Sequence, residues 1–237
     1  MSTVFLEKLC GTPDNGPNVP KCKKGVQSPM KRILCFGDSN TWGYNPETLS
    51  RYPAEERWPV VMQKELGLDF EVIAEGLNGR TTVWEDPIEE YKCGKTHLVP
   101  VIKSHQPLDL LVIMLGSNDL KKRFSLSAED IARGAGTLVK LARTVGDDVC
   151  GPAPEVLLIA PPPVANLTDF AAMFEGAEAK SRLFGEEYRK IAEEADCHFL
   201  DAGKHIRSSD VDGIHLDKEN QEKLGKAAAE KVRKILV

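Results

Sequence analysis

No stretch of this 237-residue chain approaches the ~20 consecutive apolar residues needed to cross a bilayer. Val4-Phe5-Leu6 is cut off by Glu7 before it could form the apolar centre of a secretion signal. A soluble, cytoplasmic protein without membrane contact is expected. Basic charge is also missing: the formal net charge is -5, and Lys21, Lys23 and Lys24 form only a small local group, best read as a solvated linker. A nucleic-acid or anionic-membrane binder needs a concentrated basic surface, so neither partner is expected.

The six cysteines do not form a compact stapled framework. Cys35 lies in an apolar run, and Cys93, Cys150 and Cys197 are scattered, which suits reduced thiols. Cys10 and Cys22 could pair, but no C-x-x-C or cysteine–histidine ligand set accompanies them, so no metal site is expected. Phosphate-binding motifs are lacking as well. Cys93-Gly94-Lys95-Thr96 ends like a P-loop, yet Glu89 stands where its first glycine should be, and no strand precedes it. Gly134 and Gly136 fall within a helical pattern, with Val139 in the place of the third glycine of a dinucleotide fingerprint. No cofactor is expected.

What is present is regular alternation. Residues 1–30 are rich in Gly, Pro, Asn and Lys, lack periodicity, and read as an appendage to a single domain spanning 31–237. Beyond them, apolar β-branched runs near 32–37, 70–75, 109–115, 155–160 and 197–201 alternate with helical patterns near 58–66, 97–105, 127–144, 177–195 and 218–236. Ser127 and Asp217 are placed to cap two of these helices. Continuous apolar strands such as Leu110-Leu111-Val112-Ile113-Met114-Leu115 imply burial on both faces. The expected fold is an α/β three-layer α/β/α sandwich around a five-stranded parallel flavodoxin-like sheet, order 2-1-3-4-5.

Four short segments fall just past these strands or close to the last helix: Gly37-Asp38-Ser39-Asn40, Asn78-Gly79, Gly116-Ser117-Asn118-Asp119 and Asp212-Gly213-Ile214-His215. A serine hydroxyl needs a base during attack, and Asp212, three residues before His215, can orient that imidazole. Ser39, Asp212 and His215 are therefore the candidate catalytic set. Among the other histidines, His97, His105 and His198 have no such aspartate, and His205, four residues after Asp201, is the one serious rival. Acyl transfer also needs fixed donors for the developing oxyanion. The Ser39 and Gly79 N–H groups and the Asn118 amide are the candidates; an ordinary turn is the alternative for each, and the place of Asn118 directly after an apolar strand favours the oxyanion role. No G-x-S-x-G elbow is present, which removes the α/β-hydrolase fold as an explanation.

In their order and spacing these blocks resemble the SGNH (GDSL-type) hydrolases, from about Lys31 to Leu236. Glu75-Gly76-Leu77, Arg80-Thr81-Thr82, Pro107-Leu108-Asp109-Leu110 and Ala160-Pro161-Pro162-Pro163 resemble the arylesterase and acyltransferase branch. The resemblance implies a serine ester hydrolase acting on small-molecule esters, with short acyl or aryl groups and possible transfer to alcohols, no cofactor, and a homo-oligomer. Asn40 departs from the usual leucine after G-D-S and is expected to restrict the acyl group, with Asn40 and Trp42 as substrate contacts. Trp84, like Trp42, could line the alcohol or aryl side of the site or simply pack in the core. The loop from Pro161 towards Phe170 is expected to shape the pocket. A carbohydrate O-acetylesterase with the same triad and a flavodoxin-like binding module without chemistry are the alternatives.

Overall fold

The computed structural model describes residues 30–145 and 151–237. Residues 1–29 of the expected appendage, including Cys10, Cys22 and the lysine group, lie outside the described residues, as does Cys150. Five strands form one parallel sheet: β1 (Lys31–Gly37), β4 (Phe70–Gly76), β5 (Leu110–Met114), β6 (Glu155–Ala160) and β7 (His198–Asp201). Their spatial order is β4-β1-β5-β6-β7. Counted in chain order this is the expected 2-1-3-4-5. Between β1 and β4 stand the one-turn helix α1 (Ser39–Trp42) and a small hairpin of β2 (Tyr44–Asn45) and β3 (Ser50–Arg51), which carry no periodicity long enough to be read from sequence.

Strand alternation divides the core in two. Leu34, Phe36, Leu111, Ile113 and Leu158 face α3 (Gly94–His105), α4 (Ala128–Arg143) and α6 (Phe184–Glu194). Their neighbours Ile33, Cys35, Leu110, Val112 and Leu157 face α2 (Trp58–Leu66) and α7 (Lys218–Leu236). Every side chain of β5 is buried, which is why its sequence shows no polar alternation. Burial at ~25 cal/mol per Å² of apolar surface sets which face each helix presents, and the caps place its ends at ~1 kcal/mol each. The Ser127 hydroxyl accepts from Asp130 N–H in a full capping box, and Asp217 accepts from Asn220 N–H.

One expected element is divided. The pattern over 177–195 forms α5 (Ala177–Ser181) and α6. The chain tightens between them, with Leu183 N–H bonding to Lys180 O, while the Ser181 hydroxyl accepts from Val164 N–H at 2.9 Å. That bond ties the break to the loop following β6. Helix α3 begins three residues earlier than expected, at Gly94. All four chemical segments lie at the carboxyl end of the sheet. β1 and β5 are the neighbours from which connections leave in opposite directions, the switch point where open α/β sheets place ligands.

Candidate active site

The strand-to-helix turn after β1 presents Ser39. Asp38 caps α1, its Oδ1 accepting from Asn40 N–H at 2.9 Å, and the helix ends after one turn at Gly43, with φ 91°. The hydroxyl of Ser39 therefore stands at the first helical position beyond the strand. Space decides Gly37: a β-carbon there would lie 2.0 Å from Thr41 Oγ1. Burial pushes the Asp38 carboxyl up to about 6, against the opposing pull of Asn40 N–H and the charges of His215 and Arg80.

His215 Nε2 lies 2.9 Å from Ser39 Oγ, and His215 Nδ1 lies 2.6 Å from Asp212 Oδ2. The second carboxylate oxygen, Asp212 Oδ1, accepts the N–H groups of Ile214 and His215, each at 2.9 Å. Burial raises the Asp212 pKa, but the hydrogen bond and charge of His215 and these two N–H groups outweigh it and hold the carboxyl below its ordinary value. Ser39, Asp212 and His215 thus form one hydrogen-bonded line across 176 residues of sequence. His205 is exposed and lies apart from the cavity beside Ser39. His97, His105 and His198 bind Tyr91 O, Glu75 and Glu155 instead.

Asn40 holds the two halves of this line together. Its Oδ1 accepts from Leu216 N–H at 3.0 Å, its Nδ2 donates to Ile214 O at 3.4 Å, and its carbonyl accepts from Gln221 Nε2 at 3.1 Å. The expectation that Asn40 touches the acyl group is corrected accordingly: the side chain is buried and its amide is committed to the loop that carries His215. Trp42 is corrected as well. Arg51 lies over its ring, 4.7 Å from the centroid, and neither residue lines the cavity.

Gly79 occupies the third position of the Leu77–Arg80 turn, closed by Arg80 N–H to Leu77 O at 3.0 Å. Its φ of 81° is the left-handed value that a type II turn requires there. Its N–H has no partner among the described residues. Arg80 clamps this turn to β1 and β4: Nη1 donates to Gly37 O at 2.8 Å and to Glu75 O. The Asn118 amide donates to Arg80 O at 3.1 Å, which leaves one N–H of the amide for another acceptor. Beside it, buried Asp119 accepts from both the backbone and hydroxyl of Thr82, and burial pushes its carboxyl up to about 7.

Ser39, Gly79, Asn118 and His215 share the wall of one cavity of about 180 Å³. Its apolar side comes from Tyr44 and from the loop after β6. Tyr44 stacks against His215 with ring centroids 4.2 Å apart, and Phe170 approaches the same ring at 6.2 Å. Phe170, Met173 and Phe174 come from the long loop after β6, expected to shape the pocket. Ala165 N–H to Gly213 O and Thr168 Oγ1 to Val211 O, at 2.8 and 2.9 Å, seat that loop on the His215 loop. Tyr44 follows the left-handed Gly43, the one local sign that the chain turns back to the site. Glu89 and Lys121, also lining the cavity, had no such sign. Among the described residues no group of three or more His, Cys, Asp or Glu is placed to hold a metal ion, and no helix is long and apolar enough to cross a membrane.

The GDSL-like Lipase/Acylhydrolase family matches residues 35–222. The chain belongs to this family of SGNH-type hydrolases and is an esterase. It is similar to Est24, a carbohydrate acetylesterase from Sinorhizobium meliloti, with 41% identity over 87% of this chain and 100% of that one, and a TM-score of 0.84. It is equally similar to the aryl esterase of M. smegmatis, with 43% identity, the same coverage of both chains and a TM-score of 0.84. A search of curated proteins returned no match.

Proposed function

We propose that the protein is a serine carboxylic ester hydrolase that works through an acyl-enzyme on Ser39. The observation that carries this reading is the unbroken line from Asp212 through His215 to Ser39, at 2.6 and 2.9 Å, opening on a cavity that also holds donors. Ser39 Oγ attacks the ester carbonyl carbon while His215 Nε2 takes its proton. Asp212 keeps the other ring nitrogen protonated and offsets the imidazolium charge. The Ser39 and Gly79 N–H groups and the remaining N–H of Asn118 receive the oxyanion. Collapse of the tetrahedral centre breaks the bond to the alcohol, which leaves with the proton from His215. Water, or a second alcohol, then attacks the acyl group by the same route in reverse and frees Ser39.

A cavity of about 180 Å³ is smaller than the ~300–1,000 Å³ of pockets that enclose drug-sized ligands. With Tyr44 and Phe170 beside His215, this favours short acyl groups, acetyl above octanoyl. A small organophosphate ester separates the enzyme from a binding module of the same fold, because only an activated serine displaces its leaving group. One adduct per chain, located on Ser39 by peptide mass mapping, is expected; labelling elsewhere, or none, would reject the assignment. Asn118→Ala is expected to lower kcat by ~10²–10³-fold with little change in KM, because its hydrogen bond strengthens as the oxyanion forms. A change confined to KM would make Asn118 a ground-state contact.

A further inference from the structure

The cavity has a polar wall that acyl transfer does not use. Asn78, Glu89 and Lys121 line it together with the residues around Ser39. Lys121 Nζ donates to Glu89 Oε1 at 2.6 Å and to Asp86 Oδ2 at 3.4 Å. Arg123 Nη2 donates to the same two oxygens, at 2.7 and 2.6 Å. Asp86 has no exposed side-chain surface and Lys121 only 3%, so the network is held against the protein rather than left in solvent. Two carboxylates and two cations leave it without net charge, and each cation reaches Glu89 through Oε1 alone.

That arrangement leaves two acceptors without donors. Glu89 Oε2 receives no hydrogen bond among the described residues, and it lies 2.8 Å from where a β-carbon on Gly79 would stand, against the turn whose N–H faces the oxyanion. Asn78 Oδ1 is buried with no partner. Asn78 Oδ1 is closed off from the cavity, whereas Glu89 Oε2, on a side chain partly open to it, is free to accept from a donor on the ligand. A simple alkyl or aryl alcohol has none to offer once esterified. Because the cluster is neutral, it gives a cation no net attraction, whereas a hydroxyl hydrogen suits the free carboxylate oxygen of Glu89. Glu89 also marks which side of the ester is involved. Its side chain is 34% exposed, against deeply buried Ser39 and His215, so it stands nearer the mouth through which the alcohol departs.

We propose that Glu89 makes this esterase select alcohols that carry a free hydroxyl beside the ester oxygen, with Glu89 Oε2 accepting from that hydroxyl. This selectivity rests on the reading of Ser39 as the nucleophile. Burial raises the Glu89 pKa, but the hydrogen bonds from Lys121 and Arg123 outweigh it and hold the group below its ordinary value, so it is an ionised acceptor at neutral pH.

The test compares two acetates of nearly equal size, 2-hydroxyethyl acetate and propyl acetate, by acetate release. The ratio of kcat/KM is read within each protein, so any loss of active enzyme cancels. The wild type is expected to favour the hydroxylated ester on the order of tenfold. Glu89→Leu should bring the ratio close to one, with Glu89→Gln between the two. A wild-type ratio of one, or a ratio unchanged in Glu89→Leu, overturns the proposal. So does a preference for acetylcholine over 3,3-dimethylbutyl acetate, which would make Glu89 a cation site. Ser39→Ala separates the two levels: if it still hydrolyses both esters, the reading of Ser39 falls. Loss of both esters in Ser39→Ala, alongside a wild-type ratio of one, removes only the hydroxyl selectivity.

Discussion

Ser39→Ala is expected to lose activity on p-nitrophenyl acetate on the order of 10³-fold or more, and His215→Ala nearly as much. The reason lies in the 2.9 Å contact between Nε2 and Oγ: without the base the hydroxyl stays protonated during attack, and without the hydroxyl the base has nothing to activate. The two therefore act as one unit, and the double variant should be scarcely worse than either single one. Stability should change little in Ser39→Ala, since the hydroxyl faces a cavity and no apolar packing is removed. His205→Ala serves as the control, because His205 is exposed and outside the cavity. Full activity in His215→Ala, with the loss appearing in His205→Ala, would show that the base was wrongly assigned.

The strands could be read because their signal is local. Leu110 to Met114 is a continuous apolar run, and burial on both faces writes such a run into any parallel strand. Asp212 and His215 could be read for a similar reason: a separation of three residues is short enough for one turn to join carboxylate and imidazole. The interior of the site is different. Tyr44, Glu89, Lys121 and Phe170 come from four separate connections and meet only after the sheet forms. Phe170 lies on a loop whose length marks it and Tyr44 follows the left-handed Gly43, but Glu89 and Lys121 are ordinary where they stand, and nothing nearby marks them.

Asn40 shows the converse, a residue beside Ser39 in sequence but outside the cavity wall. Adjacent residues of a helix point in different directions. Ser39 faces the cavity, and Asn40 turns into the protein, where Leu216 N–H and Ile214 O occupy both ends of its amide. Its place after Ser39 could suggest a role in acyl selection. The three-dimensional arrangement instead assigns it to registering the His215 loop against the nucleophile turn.

Asp212→Asn should lower kcat/KM by ~10⁴-fold, the size of effect known for this substitution in a serine triad, with the fold retained. The backbone explains why an isosteric change is so damaging. Asp212 Oδ1 accepts two N–H groups, from Ile214 and His215, while Oδ2 accepts from His215 Nδ1. If the new amide keeps its oxygen towards the backbone, its NH₂ faces Nδ1 and donates to it. The imidazole proton is then driven to Nε2, which can no longer take the proton of Ser39. If the amide turns over, its NH₂ meets two backbone donors in a buried position, which costs ~1–3 kcal/mol for the groups left unsatisfied. In that second orientation the amide oxygen accepts from Nδ1–H but carries no charge to offset the imidazolium, so neither orientation restores the full base. Measurement of kcat/KM on p-nitrophenyl acetate, beside a thermal unfolding curve, decides the matter. A variant within tenfold of the wild type and equally stable would show that Asp212 does not set the imidazole tautomer, and that His215 is oriented by Asn40 and Tyr44 alone.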